Sequence, residues 1–144
     1  MKVLLQRVTS ASVDVGTERV GEIQHGLLAL VGIFPNDDLH EVDWFAHKTL
    51  GLRIFADDAK PMNRSVMDVG GEILAVSQFT LAADTRKGMR PGFSEAAKPD
   101  QAEAIYDAYV EKLREQVTVA TGRFGADMKV SIVNDGPVTI MLER

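Results

Sequence analysis

A polar quartet, Ser77, Gln78, Phe79 and Thr80, follows the apolar residues 73–76. The apolar run predicts a buried strand, and two hydroxyls and an amide stand where that strand would continue. Hydroxyl side chains can hydrogen-bond neighbouring backbone groups and close off a strand. The alternative is that hydroxyls, an amide and free backbone N–H groups converge there to bind a substrate or an oxyanion. The quartet by itself favours the first interpretation.

A second unusual segment lies at residues 134–139, with the sequence Asn-Asp-Gly-Pro-Val-Thr. These residue types favour a sharp turn, and proline cannot donate a hydrogen bond to a sheet ladder. The simplest interpretation is a hairpin turn before a C-terminal strand. A cis peptide between Gly136 and Pro137 is the sharper possibility, but only about 5–6% of X–Pro bonds are cis and the spacing does not raise that figure.

The composition excludes some sites and partners. The 144 residues include no cysteine, which rules out disulfides, thiolate zinc sites and cysteine nucleophiles. The net charge of −5 argues against a broad basic face that wraps nucleic acid, so any such contact is expected to be local. The densest positive cluster is Arg86, Lys87 and Arg90, within a predicted loop at residues 85–92, and a solvated loop is its simplest interpretation.

The three histidines, His25, His40 and His47, do not suggest a metal site. His40 and His47 lack the i, i+4 spacing of a helical two-histidine site, and no third ligand is evident. We therefore expect no metal and no cofactor. No apolar run approaches the length that spans a bilayer, and no signal-like region develops after Met1, so we expect a soluble, unprocessed, cytoplasmic protein without a membrane partner.

The hydrophobic pattern predicts the elements that must position the two polar segments within one domain, residues 1–144. An antiparallel meander is predicted from strands at residues 3–8, 11–15, 19–23 and 27–34. Further strands are predicted at residues 52–55, 73–76, 117–120, 128–133 and 140–142. Helical periodicity predicts one helix capped by Asn36 or Asp37 and ended by Gly51. A second helix starts at Pro99, with Asp100 and Glu103 in capping-box positions.

With both segments in view, the chain closely resembles the D-aminoacyl-tRNA deacylase family, also called the D-tyrosyl-tRNA deacylase family. The family carries a Ser-Gln-Phe-Thr motif, here residues 77–80, and an Asn-x-Gly-Pro-Val-Thr motif, here residues 134–139. Agreement continues at residues 6–8, 84–88 and 124–126, so the resemblance covers essentially the whole chain. Three departures, Ala82, Met89 and Gly92, concern details of the loop and not the activity.

The resemblance implies an α/β fold, a single compact domain in which mixed and antiparallel β-sheets form a barrel-like core with two main helices. It also implies a homodimer that cleaves the ester between a D-amino acid and the 3′-terminal adenosine of tRNA, with glycyl-tRNA(Ala) as a further substrate. In the family the Gly-Pro peptide is cis and enters the partner's pocket, where its carbonyls exclude an L-side chain. Gly136 and Pro137 match it, and Arg7 and Asn134 match supporting positions.

Ester hydrolysis needs a nucleophile, its activation and stabilisation of an oxyanion. Thr80 is the obvious protein nucleophile, but the sequence offers no base for a relay with it. The resemblance implies that the tRNA 2′-hydroxyl assists an attacking water. We hypothesise that the N–H groups of Phe79 and Thr80 hold the carbonyl oxygen while Ser77 and Gln78 shape the pocket. Two alternatives stay open: a hydrolase of small esters or peptides that uses Thr80 or Ser77, and a non-catalytic dimeric binding module.

Overall fold

Strand β1 (Lys2–Val15) carries other strands along both of its edges in the computed structural model, which describes residues 1–144. Along one edge, β6 (Lys129–Glu143) pairs antiparallel with β1 over nearly its whole length. Along the other edge, β2 (Glu18–Ile23) pairs with the second half of β1 and β3 (Gly26–Gly32) pairs with the first half, both antiparallel. β1 is therefore the strand from which the sheet is built.

The predicted meander is wrong, because the chain does not reverse between β2 and β3. Ile23 pairs with Ala11 and Gly26 pairs with Val8, so β2 and β3 follow one another in the same direction along β1. This arrangement requires a long partner, and β1 supplies it as one strand of 14 residues where the sequence predicted two separate strands. The turn residues between β2 and β3 produce only an interruption.

The sheet continues from β3 through two parallel strands. β4 (Glu72–Ser77) pairs with β3, and β5 (Val119–Thr121) pairs with β4. β5 then approaches β2 so closely that a Cβ at Gly21 would overlap the Thr121 carbonyl oxygen. The mixed sheet is nearly closed and barrel-like, which confirms the predicted α/β fold with two main helices.

Two helices pack on each other and on the sheet: α1 (Leu39–Gly51) and α2 (Pro99–Arg114). The cap of α1 is Asp38, whose side chain accepts the His40 N–H, and not Asn36 or Asp37. The Asp37 carboxylate is committed elsewhere, to the Phe34 N–H and the Met1 amino group. Shared buried side chains join the helices to the sheet: Phe45, Leu50, Ile105, Tyr109 and Leu113.

The start of α2 also differs from the prediction in one detail. Its N-cap is Lys98, which makes no side-chain capping bond, and Pro99 occupies the first turn. The predicted capping box of Asp100 and Glu103 is therefore wrong. Proline suits this position because the first N–H groups of a helix lack intrahelical acceptors, so the helix starts without a box.

Three predicted strands are absent as separate elements. Residues 52–55 form no strand, and Phe55 makes only an isolated bridge with Arg64. Residues 128–133 and 140–142 belong to the single strand β6, so the hairpin interpretation of the segment between them is wrong.

No helix of the structure combines the length and the apolar character needed to cross a membrane.

Candidate active site

The polar quartet lies where β4 ends beside β3. Ser77 pairs in parallel register with Val31, and the Gln78 N–H donates to the Val31 carbonyl oxygen at 2.7 Å. The chain then enters a short 3₁₀ turn, Phe79–Ala82. The Gln78 side-chain amide donates to the Thr80 hydroxyl oxygen. That amide nitrogen cannot take a proton from the hydroxyl, so this contact does not activate Thr80 as a nucleophile.

Two backbone donors at the start of the turn have no acceptor within the protein. They are the N–H groups of Phe79 and Thr80, for which the turn offers no preceding carbonyl. Both residues are exposed. The quartet therefore presents two adjacent N–H groups to the surroundings, the arrangement that can hold a carbonyl oxygen as it becomes an oxyanion.

A cavity of about 470 Å³ opens beside these donors. Its walls come from the ends of β3 and β4, from the segment that leads into α2 and from residues 124–130. Most lining side chains are apolar, and Ser77 and Gln78 are its polar members. A largely apolar cleft of this size with a few convergent polar groups is typical of a small-molecule or cofactor site.

The far wall of the cavity was not found from the sequence. Phe124 and Met128 line it, and three small residues, Ala96, Ala97 and Ala102, leave the space open. Phe124 lies against Tyr106, with ring centroids 6.1 Å apart. The available signal was the cluster of alanines before and within the first turn of α2, which resembles ordinary helix composition.

Gly32, behind the quartet, is a second residue that sequence reasoning missed. A Cβ at this position would lie 2.9 Å from Leu81 Cβ and 3.2 Å from the Gln78 carbonyl oxygen. Glycine therefore allows the 3₁₀ turn to pack directly on the end of β3. The signal in the sequence was a single glycine within an otherwise apolar strand, which often marks a close backbone approach.

The Gly-Pro segment is a bulge in β6. Gln6 pairs with Thr139 and Val8 pairs with Asn134, so Arg7 alone faces the four residues 135–138. The Gly136–Pro137 peptide bond is cis, and the φ of Gly136 is +141°, a value that other residues rarely adopt. The Asn134 side chain spans the bulge, accepting the Val138 N–H at 2.8 Å and donating to the Val138 carbonyl oxygen at 3.1 Å.

Arg7 ties the bulge to the segment after α1. Its Nε donates to the Asp135 carbonyl oxygen at 2.9 Å, and its Nη1 donates to the Ile54 carbonyl oxygen at 2.5 Å. The Asp135 carboxylate lies 3.4 Å from the same Nε. The Arg7 side chain is only 12% exposed, so these carbonyl groups take the place of water around the guanidinium.

One chain does not bring the quartet and the bulge into one pocket. Gly136 and Pro137 are exposed and neither lines the cavity beside Ser77. The quartet follows β4 and the bulge interrupts β6, and these two strands are separated in the sheet by β3 and β1. The predicted site residues thus form two groups, the quartet and the cluster of Arg7, Asn134, Gly136 and Pro137.

Solved structures with the same fold cover essentially the whole chain. The structure of the c-Myc DNA Unwinding Element Binding Protein superposes with a TM-score of 0.93 at 44% identity, over 100% of this chain and 99% of that one. A probable eukaryotic D-amino acid tRNA deacylase superposes with a TM-score of 0.84, over 98% of this chain and 97% of that one. At 18% identity, the second comparison supports the fold alone.

Sequence relatives point to one family. A D-aminoacyl-tRNA deacylase of an Exiguobacterium species is 57% identical over 100% of this chain and 99% of its own length. A D-aminoacyl-tRNA deacylase of Ectopseudomonas mendocina is 59% identical over 99% of both chains. The family model described as D-Tyr-tRNA(Tyr) deacylase matches residues 4–143. The chain therefore belongs to the D-Tyr-tRNA(Tyr) deacylase family.

Proposed function

We propose that this chain is an editing enzyme that hydrolyses the ester between a D-amino acid and the 3′-terminal adenosine of tRNA. The observation that carries the proposal is the pair of free N–H groups of Phe79 and Thr80 at the edge of an apolar cavity. Relatives named D-aminoacyl-tRNA deacylase support it through their identity over the full chain. A cytoplasmic location of the activity is part of the proposal, and the aminoacyl-tRNA substrate supports it.

The reaction proceeds by attack of water on the ester carbonyl carbon. The family resemblance implies that the terminal ribose 2′-hydroxyl assists this water. The arrangement at Thr80 is compatible with this role, because the Thr80 hydroxyl is bound by an amide and no base contacts it. The carbonyl oxygen becomes an oxyanion and is held by the N–H groups of Phe79 and Thr80. The bond to the ribose 3′-oxygen then breaks, that oxygen receives a proton, and free tRNA and the D-amino acid leave.

Chiral selection requires a second subunit in this proposal. Gly136 and Pro137 are exposed and lie outside their own chain's cavity, so they can enter the cavity of a partner in a homodimer. β6 pairs only with β1, and the apolar residues Ile132 and Val133 beside the bulge are 39% and 56% exposed. Carbonyl groups of the bulge then exclude an L-side chain, while glycine, which has no side chain, is accepted from glycyl-tRNA(Ala).

One assay tests the proposed activity and distinguishes it from the two alternatives, a hydrolase that uses a protein nucleophile and a non-catalytic binding module. The purified protein is incubated with D-tyrosyl-tRNA, L-tyrosyl-tRNA and D-tyrosyl-tRNA whose terminal nucleotide is 2′-deoxyadenosine. We expect rapid release of D-tyrosine, little release of L-tyrosine and strongly reduced release from the deoxy substrate. Equal turnover of the deoxy substrate would indicate a protein nucleophile, and no turnover of any substrate would indicate a binding module.

The subunit arrangement is tested separately, by sedimentation of the wild type and of Val133→Asp. We expect a dimer for the wild type and dissociation for the variant, because an unpaired charge at an apolar interface is costly. Lys60→Asp, on an exposed turn, is the control substitution. A monomeric wild type that still discriminates D from L would contradict selection by a partner.

A further inference from the structure

A closed loop spans residues 84–92, and its side chains are exposed from residue 85 onward. Two backbone hydrogen bonds join its ends, from the Asp84 N–H to the Gly92 carbonyl oxygen at 2.8 Å and from the Gly92 N–H to the Asp84 carbonyl oxygen at 2.9 Å. All residues from 85 to 95 are exposed. The loop is therefore held at its base, and its side chains are free to meet a partner.

The base of this loop stands at the mouth of the cavity. Gln78 and Phe79 line the cavity shortly before the loop, and Ala96 and Ala97 line it shortly after. The rings of Phe79 and Phe93 meet edge to face with centroids 5.1 Å apart, which joins the returning strand of the loop to the quartet. A ligand that extends out of the cavity on this side passes next to the loop.

Two of the three positive charges on the loop are free. Arg86 binds both carboxylate oxygens of Asp84 at 2.8 Å, and this hydrogen bonding lowers the pKa of Asp84 to about 2, so the pair stays ionised and together neutral. Lys87 and Arg90 form no ion pair. They stand beside Met89, which is 99% exposed, on a protein whose net charge is −5.

We propose that Lys87 and Arg90 bind the phosphates of the nucleotides that precede the terminal adenosine of the substrate. The inference rests on the proposed function, since it takes the last residue of a polynucleotide to occupy the cavity and the chain to leave beside the loop, next to Phe79 and Phe93. Two local cations on an acidic protein favour a polyanion at one point and do not create a broad basic face. The loop thereby distinguishes a tRNA end from a free aminoacyl nucleoside.

The test uses Lys87→Ala/Arg90→Ala and two probes that cannot be hydrolysed. One is a fluorescent acceptor-stem minihelix ending in 3′-(D-tyrosylamino)adenosine, and the other is that aminoacyl nucleoside alone. The control is Lys60→Glu, which changes the net charge by the same amount on an exposed turn. The turn that carries Lys60 is close to Phe55, and the Phe55 ring contacts the ring of His25. His25 immediately precedes β3, so the turn lies at the end of β3 opposite to Val31.

We expect the double variant to bind the minihelix more weakly at low salt, with a slope of log affinity against log salt reduced by about 1.4. Between 50 and 200 mM salt, the wild type then loses about sevenfold more affinity than the variant. Affinity for the nucleoside probe stays unchanged, and Lys60→Glu keeps the wild-type slope. The variant also turns over D-tyrosyl-tRNA less efficiently at low salt while its turnover of D-tyrosyl-adenosine is unaltered.

The proposal is overturned by equal salt slopes, by an equal loss for the nucleoside probe, or by a change in oligomeric mass that places the loop at a subunit interface. A wild type that binds the minihelix no better than the nucleoside also overturns it. The two proposals fail separately. Salt-sensitive minihelix binding without hydrolysis of D-tyrosyl-tRNA contradicts the deacylase activity alone, and hydrolysis with equal slopes contradicts the loop contact alone.

Discussion

The Nε of Arg7 lies 2.9 Å from the carbonyl oxygen of Asp135, the residue that opens the Gly-Pro bulge. The same guanidinium reaches the Ile54 carbonyl oxygen at 2.5 Å on the other side. Arg7 thus connects the bulge to a segment with no regular secondary structure. The planar guanidinium group holds its Nε–H and Nη1–H bonds at a fixed angle that suits the two carbonyl groups. Lysine carries one compact charge at the end of a flexible chain and cannot reproduce that angle.

We therefore predict that Arg7→Lys loosens the bulge. Losing one charge-assisted hydrogen bond corresponds to about 1.5–3 kcal/mol, or roughly 10- to 100-fold in a rate that depends on it. The ratio of D-tyrosyl-tRNA to L-tyrosyl-tRNA turnover is expected to fall within this range. Arg19→Lys, on an exposed ion pair with Asp14, serves as the control. An unchanged ratio would mean that Arg7 does not position the bulge for selection.

Thr80→Val is expected to retain much of the activity. Valine keeps the shape and the backbone N–H of Thr80 and removes only the hydroxyl, which in the structure accepts a hydrogen bond from the Gln78 amide. Single-turnover hydrolysis of D-tyrosyl-tRNA measures the effect, and circular dichroism checks folding. Complete loss of turnover in a folded variant would restore Thr80 as the nucleophile.

Gly32→Ala is expected to impair catalysis by displacing the turn that follows Gln78, which packs against Gly32. The added methyl group would lie 2.9 Å from Leu81 Cβ, so the 3₁₀ turn and its free N–H groups must shift. Misplacement by about 1 Å can lower a rate about 100-fold, and we expect kcat/KM to fall by up to that factor. Gly51→Ala is the matched control, because nothing lies within 4 Å of its added Cβ. Similar losses in both variants would exclude this explanation.

The two buried tyrosines of α2 are expected to differ in their contribution to stability. The Tyr109 hydroxyl hydrogen-bonds the buried Thr49 hydroxyl at 2.7 Å, so Tyr109→Phe leaves that partner unpaired and costs about 1–3 kcal/mol of unfolding free energy. The Tyr106 hydroxyl donates to the Ala75 carbonyl oxygen, which also accepts the Gly122 N–H at 3.1 Å. Tyr106→Phe is therefore expected to cost less in urea unfolding, and the opposite order would contradict this account.

Alkaline pH provides an independent measurement on the same groups. Burial raises the pKa of the Tyr109 phenol well above its ordinary value, and also that of Tyr106. A raised pKa contributes stability that is present below about pH 10, the pKa in the unfolded chain, and is lost as the pH rises beyond it. We expect phenolate absorbance from these two residues to appear together with unfolding. Reversible ionisation of both in the folded protein would contradict this expectation.

Local sequence patterns predicted the elements whose causes are local. The run before Ser77 became β4, Gly51 ends α1, and Pro99 starts α2. The arrangement of β2 and β3 could not be predicted in this way. A glycine-containing turn is compatible with a chain that reverses direction after β2 and also with a chain that continues in the same direction. The choice depends on the length of β1, a tertiary partner.

The residues of the candidate site also differ in whether local sequence or tertiary contacts determine them. The quartet and the Gly-Pro segment were visible as unusual residue types, and the free N–H groups of Phe79 and Thr80 follow from the 3₁₀ turn. The cavity wall was not visible, because it depends on Phe124 lining the same cavity as Ala96, Ala97 and Ala102, which are distant from it in the sequence. Asp38 replaced Asp37 as the helix cap because Asp37 binds the distant Met1 amino group.

The bulge opposite Arg7 interrupts the pairing of β6 with β1, and the pairing resumes on both sides of it. Five steps along β6, from Asn134 to Thr139, span two steps along β1, whereas the next single step, from Asn134 to Val133, also spans two. The segment therefore gives β6 a net excess of two residues within a ladder that is antiparallel on both sides. Removing two residues would restore regular pairing between the pairs Gln6–Thr139 and Ser10–Val133 and leave the side chains beyond the segment on their present faces of the sheet. The barrel thus accommodates a short insertion in β6, and a segment of another length would retain the core where it keeps the buried side chain of Val138.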